Sequence, residues 1–151
     1  MLKELGRVRN NDGSTTGGLA ALDEVLAQRG VRRGRTVLGD ASGLSHVGRV
    51  QCRYLLAVLT AFRPELDGRV AIAGRSGTLA RRLLGTPAAG RVRGKTGSLD
   101  GVTAIAGYVE TLDGSASTFA LVVNGWPIGA SGRSIQDPVA LALVETPRVT
   151  R

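Results

Sequence analysis

Three consecutive segments between residues 92 and 124 constrain the fold of this 151-residue chain more than any other feature. Residues 92–99, 103–112 and 117–124 have the composition of strands, and Asp113-Gly114 between the last two is a hairpin signal. Strands that follow one another through tight turns pair antiparallel. We therefore predict an antiparallel sheet of about three strands in this part of the chain.

The third of these predicted strands is apolar on both faces. Phe119, Leu121 and Val123 point to one face, and Ala120 and Val122 point to the other. A strand of this kind belongs inside a sheet rather than at an exposed edge. We therefore expect it to pair with a further strand that this chain does not supply.

The first ninety residues favour helices instead. Residues 19–26 repeat apolar side chains at helical spacing, after a polar loop that offers N-caps and before a glycine stop. Helices are also predicted over residues 50–62, 79–84 and 135–144. Helices followed by an antiparallel sheet indicate the α+β class, and the length fits one domain over residues 1–151.

Charge and hydropathy argue against several kinds of partner. The net charge is +8, but the basic residues are scattered and lack the interleaved aromatic rings of a single-strand binder, so no nucleic acid is expected. No apolar window reaches about 18 residues, so no membrane span is expected. Residues 1–5 are predicted to end a helix at Gly6. Residues 1–11 lack the apolar core of a secretory signal, so the chain as it stands is expected to be cytoplasmic.

Lys95-Thr96-Gly97 is the first candidate site. At the start of a strand, the Lys95 ammonium can attract a carboxylate, and the Thr96 hydroxyl can hydrogen-bond the same anion. Gly97 lets a substrate backbone approach closely, and the Ser98 amide can donate to a developing oxyanion. The alternative is an ordinary strand start with a solvated lysine.

A second candidate is the loop Asp40-Ala41-Ser42-Gly43-Leu44-Ser45, which lies between a predicted strand over residues 35–38 and a predicted helix. Either serine can present a hydroxyl to a cleft, or can simply cap the next helix. His46 is the only histidine, which leaves little material for a Ser-His-Asp triad or a zinc site. We expect no metal and no cofactor.

Together these blocks resemble the C-terminal part of the transpeptidase domain of the D-alanyl-D-alanine carboxypeptidase/endopeptidases, the class C low-molecular-mass penicillin-binding proteins. The resemblance implies a partial penicillin-binding, serine β-lactamase-like α+β fold, of which residues 1–151 are the C-terminal part of a single domain. The blocks that carry it follow the family order: residues 40–50, 73–82, 92–102, 107–109 and 121–125.

The resemblance implies a serine-type D-Ala-D-Ala carboxypeptidase of peptidoglycan metabolism that forms an acyl-enzyme on stem peptides, binds β-lactams and works outside the cytoplasm at the cell wall. Ser45 would be the second-motif serine, which passes a proton to the leaving amine. Lys95 and Thr96 would bind the terminal carboxylate beside Gly97. The Ser98 amide would supply one oxyanion donor.

The chain departs from the family pattern at three points. The family asparagine after the second-motif serine falls on Gly48, and Ala41 stands where the family has glycine. The larger departure is the nucleophile motif Ser-x-x-Lys. Val92 precedes Lys95 by three positions, and Lys3 has too little chain before it, so the motif is absent from this sequence. We therefore expect this chain to be inactive alone.

Two alternatives remain open at this point. The chain could be a non-catalytic remnant that binds peptidoglycan or a complementing N-terminal half. It could also be a fragment similar to the serine β-lactamases, which share Lys-Thr-Gly but fit residues 42–45 and 73–82 poorly.

Overall fold

The structure is a computed structural model that describes residues 1–125 and 131–147 of the chain. Its residues group into two units, Met1–Ala61 and Phe62–Arg151. The first unit is helical within its regular elements, and the second combines helices with an antiparallel sheet. This arrangement confirms the α+β class, whereas the single domain over residues 1–151 stays a prediction.

The first unit begins with helix α1 (Leu2–Asn10), which packs against helix α2 (Thr15–Gln28). The contact is close because Gly6 of α1 is buried where a Cβ atom would lie 2.5 Å from the backbone nitrogen of Gly18. The prediction that the first helix ends at Gly6 is therefore wrong. This glycine serves helix packing, and the helix ends instead at Asn10, where Asn11 follows as its cap in the left-handed conformation.

Helix α2 confirms the predicted capping. The Ser14 hydroxyl accepts a hydrogen bond from the Gly17 N–H at 2.9 Å, and Gly30 follows the helix with a φ of 75°. Helix α3 (Cys52–Ala61) lies within the predicted range 50–62. Between these helices, the predicted strand over residues 35–38 is reduced to a single bridge from Val37 to Arg49.

Within its described residues, the second unit contains a four-stranded antiparallel sheet in the order β1-β2-β3-β4. The strands are β1 (Ala71–Ile72), β2 (Val92–Leu99), β3 (Val102–Glu110) and β4 (Ala116–Asn124). The three predicted strands match β2 to β4, and Gly114 has a φ of 82° in the predicted hairpin turn. The prediction of about three strands missed β1, which is too short to show any alternation.

The core of the second unit lies on one face of this sheet. Ile105, Val109 and Phe119 from the sheet pack with Leu79 and with Val144 of helix α5 (Ser131–Glu145). Helix α5 extends the predicted range 135–144 at both ends. Within the described residues, no helix combines the length and the hydropathy that crossing a bilayer requires.

The predicted helix over residues 79–84 is wrong. Only a 3₁₀ turn, Gly77–Leu79, forms here, and Leu83 has a φ of 59° that no α-helix accommodates. Leu79 and Leu83 are both buried in the core, while Arg82 points to α5. Tertiary contacts thus override the helical spacing of the leucines. A short helix, α4 (Arg63–Leu66), opens this unit and was not predicted.

Strand β4 forms one edge of the described sheet, because it pairs with β3 and with no other described strand. Its central side chains are nevertheless buried or half-buried on both faces, from Ser117 to Val123. That combination agrees with the strand pattern seen in the sequence. The expectation of a further strand beside β4 stays a prediction.

Candidate active site

The strand that carries Lys95-Thr96-Gly97 has one open edge. On one side, β2 pairs with β3 along its whole length, from Val92 to Leu99. On the other side, β1 pairs only with Arg93 and Gly94. From Lys95 onward, that edge has no strand partner within the described residues, so its backbone groups can accept an extended peptide.

The direction of the backbone groups on β2 follows from the hydrogen bonds at its start. The Val92 carbonyl accepts from the Ala73 N–H at 2.9 Å, on the β1 side, and the Arg91 carbonyl accepts from Glu110 of β3 at 3.0 Å. Both backbone groups of a strand residue point to the same side, and the side alternates along the strand. The N–H groups of Thr96 and Ser98 therefore point to the open edge.

Lys95 places a positive charge beside this edge. Its side chain is exposed, and its Nζ atom donates to the Thr96 carbonyl at 2.5 Å. Among the described residues, no carboxylate forms an ion pair with Lys95. The ammonium thus lies beside the open edge with its charge uncompensated, as the recognition of an anionic group requires.

Two further features shape the same edge. The Thr96 hydroxyl donates to the Thr78 hydroxyl at 2.9 Å, which adds Thr78 from the 3₁₀ turn to the candidate site. A Cβ atom built on Gly97 would meet nothing within 4 Å, so the space above this residue is open. Sequence reasoning did not single out Thr78, although it lies in the block over residues 73–82.

A buried polar network connects β2, through its partner strand β3, to helix α5. The Thr103 hydroxyl lies 3.4 Å from the Gly97 carbonyl and accepts a hydrogen bond from the Gln136 amide at 3.0 Å. Arg82 donates to the Gln136 side chain at 3.0 Å and, through Nε, to Asp137 at 2.9 Å. Buried polar groups that are fully paired in this way rigidify their surroundings. The network thus ties the Gly97 segment to α5.

The loop over residues 40–45 lies in the first unit, and it separates the roles of its two serines. The Ser42 hydroxyl donates to Asp40 at 2.7 Å and accepts from the Leu44 N–H at 3.0 Å, so it builds the turn. The Ser42 N–H, followed by its hydroxyl, lowers the pKa of the Asp40 carboxyl. The Ser45 hydroxyl, by contrast, makes no hydrogen bond to a described residue. Ser45 is therefore the serine whose hydroxyl remains available.

Ser45 is held by close backbone contacts. Its side chain packs on Gly39, where an added Cβ atom would lie 2.8 Å from the Ser45 Cβ. The Gly48 N–H donates to the Ser45 carbonyl at 3.2 Å, which closes a turn above the Val37–Arg49 bridge. At Gly48, an added Cβ atom would lie 3.3 Å from that carbonyl, so a larger residue needs only a small adjustment there.

The two halves of the predicted site lie in different units. Ser45 belongs to the first, and Lys95, Thr96, Gly97 and Ser98 belong to the second. The prediction that these five residues act together stays a prediction.

Comparisons with known proteins agree with this arrangement of motifs. A sequence model of the D-Ala-D-Ala carboxypeptidase 3 (S13) family matches residues 1–146. The D-alanyl-D-alanine carboxypeptidase of Actinomadura sp. (strain R39) is 33% identical over 155 residues, which cover 96% of this chain and 28% of that protein. Carboxypeptidase DacB of Mycolicibacterium smegmatis is 38% identical over 151 residues, which cover 92% of this chain and 31% of that protein.

Solved structures show the same relationship. Penicillin binding protein 4 (dacB) from Haemophilus influenzae superposes with a TM-score of 0.86 at 25% identity, over 96% of this chain and 36% of that one. Its complex with a novel β-lactam gives a TM-score of 0.85. The chain thus spans about a third of the length of these relatives, and its fold is that of part of a penicillin-binding protein. It belongs to the D-Ala-D-Ala carboxypeptidase 3 (S13) family.

Proposed function

We propose that this chain supplies the second-motif serine and the Lys-Thr-Gly strand of a serine-type D-Ala-D-Ala carboxypeptidase, within a single transpeptidase-like domain at the cell wall. The observation that carries the proposal is the open edge of β2, with the uncompensated Lys95 ammonium beside outward-pointing backbone N–H groups. The family match favours this reading over the serine β-lactamase alternative.

The substrate is a peptidoglycan stem peptide that ends in D-Ala-D-Ala, and β-lactams occupy the same edge. Lys95 and the Thr96 hydroxyl bind the terminal carboxylate through charge-assisted hydrogen bonds. For this the Thr96 hydrogen turns to the carboxylate, and the Thr78 hydroxyl becomes the donor in the bond between the two threonines. The bare α-carbon of Gly97 leaves room for the substrate backbone. The Ser98 N–H donates to the oxyanion that forms when the penultimate carbonyl is attacked.

Ser45 moves a proton in this scheme. A serine nucleophile attacks the carbonyl, the amide bond breaks, and the departing nitrogen of D-alanine needs a proton. The free Ser45 hydroxyl donates that proton and is reprotonated from the lysine beside the nucleophile. Water then hydrolyses the acyl-enzyme. The 151 residues contain no Ser-x-x-Lys, so the nucleophile and its lysine must come from sequence outside them.

A chimera tests this proposal. The chain replaces the matching region of the Mycolicibacterium smegmatis carboxypeptidase DacB, and a fluorescent penicillin reports acylation. We expect the chimera to become covalently labelled and the chain alone to stay unlabelled. Lys95→Ala in the chimera should slow labelling about 100-fold, as expected for lost electrostatic stabilisation. Arg81→Ala, which removes an exposed charge from the same unit, should leave the rate unchanged.

Two results would contradict the proposal. The first is a stoichiometric acyl adduct on the chain alone. The second is a chimera that folds, labels, and keeps its rate after Lys95→Ala. Circular dichroism and thermal unfolding of each variant separate a lost fold from a lost site.

The edge of β4 favours a second candidate function, that of a non-catalytic chain that binds a complementing N-terminal half. The alternation of backbone groups applies here as well. The Gly125 N–H donates to Gly101 on the β3 side, so the even-numbered residues, including Ala120 and Val122, direct their N–H groups outward. A strand added at this edge would cover side chains that are apolar on both faces.

A binding experiment tests this second candidate. The remaining two thirds of the Mycolicibacterium smegmatis relative are produced separately and mixed with this chain, and complex formation is followed by size-exclusion chromatography. Ala120→Pro removes one outward N–H without touching the bonds to β3, and it should abolish the complex. Ala120→Val keeps the N–H and should retain it. A complex that survives Ala120→Pro, or no complex with the unchanged chain, would contradict this candidate.

A further inference from the structure

A small cavity in the first unit is lined by residues from the segments 32–35 and 51–57, which flank the loop over residues 40–45 in sequence, and arginine side chains with their aliphatic stems predominate in it. Its volume is about 260 Å³. The lining includes no carboxylate, and the residues that determine its character are Arg32, Arg33, Arg35, Gln51, Arg53 and Tyr54.

Most of the positive charge at this cavity is uncompensated. Arg33 donates to Asp23 through Nε at 2.8 Å and forms an ion pair with it at 2.6 Å. Arg32, Arg35 and Arg53 form no ion pair or hydrogen bond with any residue in the described ranges. Like charges around one cavity repel one another, and the arrangement is stabilised when an anion enters.

The backbone holds these arginines at the cavity. Gly34 has a φ of 58°, a conformation that glycine adopts without strain, and it turns the chain between Arg33 and Arg35. The buried Thr36 then accepts a hydrogen bond from the Gln51 N–H at 3.3 Å. This bond ties the turn to the segment that leads into α3. The fold therefore fixes the backbone positions from which these arginines extend.

Tyr54 adds a phenol hydroxyl to the lining of the cavity. The residue is only 7% exposed, yet its hydroxyl makes no hydrogen bond to another described residue. Burial raises the pKa of the phenol, an effect that Arg33 opposes and Asp23 reinforces. The hydroxyl is thus protonated at neutral pH and close to the Arg33–Asp23 pair. The hydroxyl oxygen itself is not buried, so it can donate to a ligand in the cavity without first breaking a hydrogen bond within the described chain.

We propose that this cavity binds an oxyanion of the phosphate class, either a phosphomonoester or a diphosphate group. Guanidinium groups match the oxygens of phosphate in paired hydrogen bonds, and a phosphate offers enough acceptors for several arginines and a phenol at once. The cavity is smaller than a typical drug-sized pocket, so it accommodates the anionic group and leaves the remainder of a larger ligand outside. This proposal does not rest on the proposed carboxypeptidase chemistry.

Isothermal titration calorimetry on the 151-residue chain at low ionic strength tests this assignment. Inorganic pyrophosphate is the probe, and succinate is the dicarboxylate comparison. We expect pyrophosphate to bind at one site per chain and more tightly than succinate. Arg53→Gln should raise the dissociation constant about tenfold, the loss of one charge-assisted hydrogen bond. Tyr54→Phe, which deletes only the hydroxyl, should raise it several-fold.

Arg81→Gln is the matched control, because Arg81 is exposed, lies in the other unit and removes the same charge. It should change the dissociation constant less than twofold. Equal weakening by Arg81→Gln and Arg53→Gln would reveal attraction to the net charge alone and overturn the proposal. Absence of pyrophosphate binding, or equal affinity for succinate, would overturn it as well. Arg53 and Arg81 are both exposed, so these two substitutions leave the fold intact for the measurement.

Discussion

Ala41, in the loop over residues 40–45, adopts a backbone conformation that is unfavourable for an L-residue. Ala41 stands where the resemblance predicts glycine, and its φ is 56°, in the left-handed region. An L-residue loses about 1–2 kcal/mol there. Ser42 and Asp40 nevertheless close the turn around it through 2.7 Å and 2.9 Å hydrogen bonds. The loop thus keeps its shape although glycine would adopt it without strain.

Ala41→Gly should therefore stabilise the chain. We expect the free energy of unfolding to rise by about 1 kcal/mol, because the relief of the left-handed strain exceeds the added freedom of glycine in the unfolded chain. Urea denaturation followed by circular dichroism measures it. Ala20→Gly, at an exposed position in the interior of α2, is the control and should lower stability by about 1 kcal/mol. A loss of stability in both variants would argue against the strain at Ala41.

At Gly97, a substitution should slow acylation without changing the stability of the fold. An added methyl group would meet nothing within 4 Å, and the residue does not have a positive φ, so Gly97→Ala should leave the unfolding free energy within about 0.5 kcal/mol. The same methyl group would occupy the space that the proposal assigns to the substrate backbone. In the chimera, we expect penicillin labelling to slow at least tenfold, as small misplacements of bound substrate do. Unchanged labelling would mean that the substrate does not pass over Gly97.

At the scale of elements, the sequence predicts some parts of the fold closely, and the physical reasons differ from part to part. The strands β2 to β4 were predicted within two residues, because their side-chain pattern and the Asp113-Gly114 turn are local signals. Predictions from the local sequence were wrong where contacts with residues distant in sequence determine the structure. Gly6 lies inside its helix instead of ending it, because the absence of a side chain there lets α2 pack closely. The leucines near residue 80 serve the core without forming a helix, and Thr78 becomes part of the candidate site only through its contact with Thr96.

The network of Arg82, Gln136 and Thr103 joins elements that no local pattern connects, since Arg82 and Gln136 are 54 positions apart. Arg82 is 8% exposed, and its removal leaves the Gln136 oxygen and Asp137 without their donor. Arg82→Ala should therefore lower the free energy of unfolding by about 3 kcal/mol. Its neighbour variant Arg81→Ala should change it by less than about 0.5 kcal/mol. Equal effects in urea denaturation would show that the network contributes nothing.

At the scale of the whole molecule, the chain combines a complete Lys-Thr-Gly strand with the absence of a nucleophile motif. It matches its family over residues 1–146 but spans only 28% to 36% of the relatives described above. Sequence reasoning identified this situation because motifs and their order are directly visible. It could not establish how Ser45 and Lys95 are placed relative to each other, since that depends on packing between distant segments. The central claim is therefore that this chain supplies the Lys-Thr-Gly strand and the second-motif serine of a carboxypeptidase, whereas the nucleophile comes from another part of the enzyme.

The release of D-alanine by the chimera tests that claim most directly. The substrate is a stem peptide that ends in D-Ala-D-Ala, and kcat/KM is measured for the chimera, for its Lys95→Ala variant and for the chain alone. The account predicts release by the chimera, a drop of about 100-fold in kcat/KM with Lys95→Ala, and no release by the chain alone. Turnover by the chain alone, or a folded chimera whose kcat/KM is unaffected by Lys95→Ala, would contradict it.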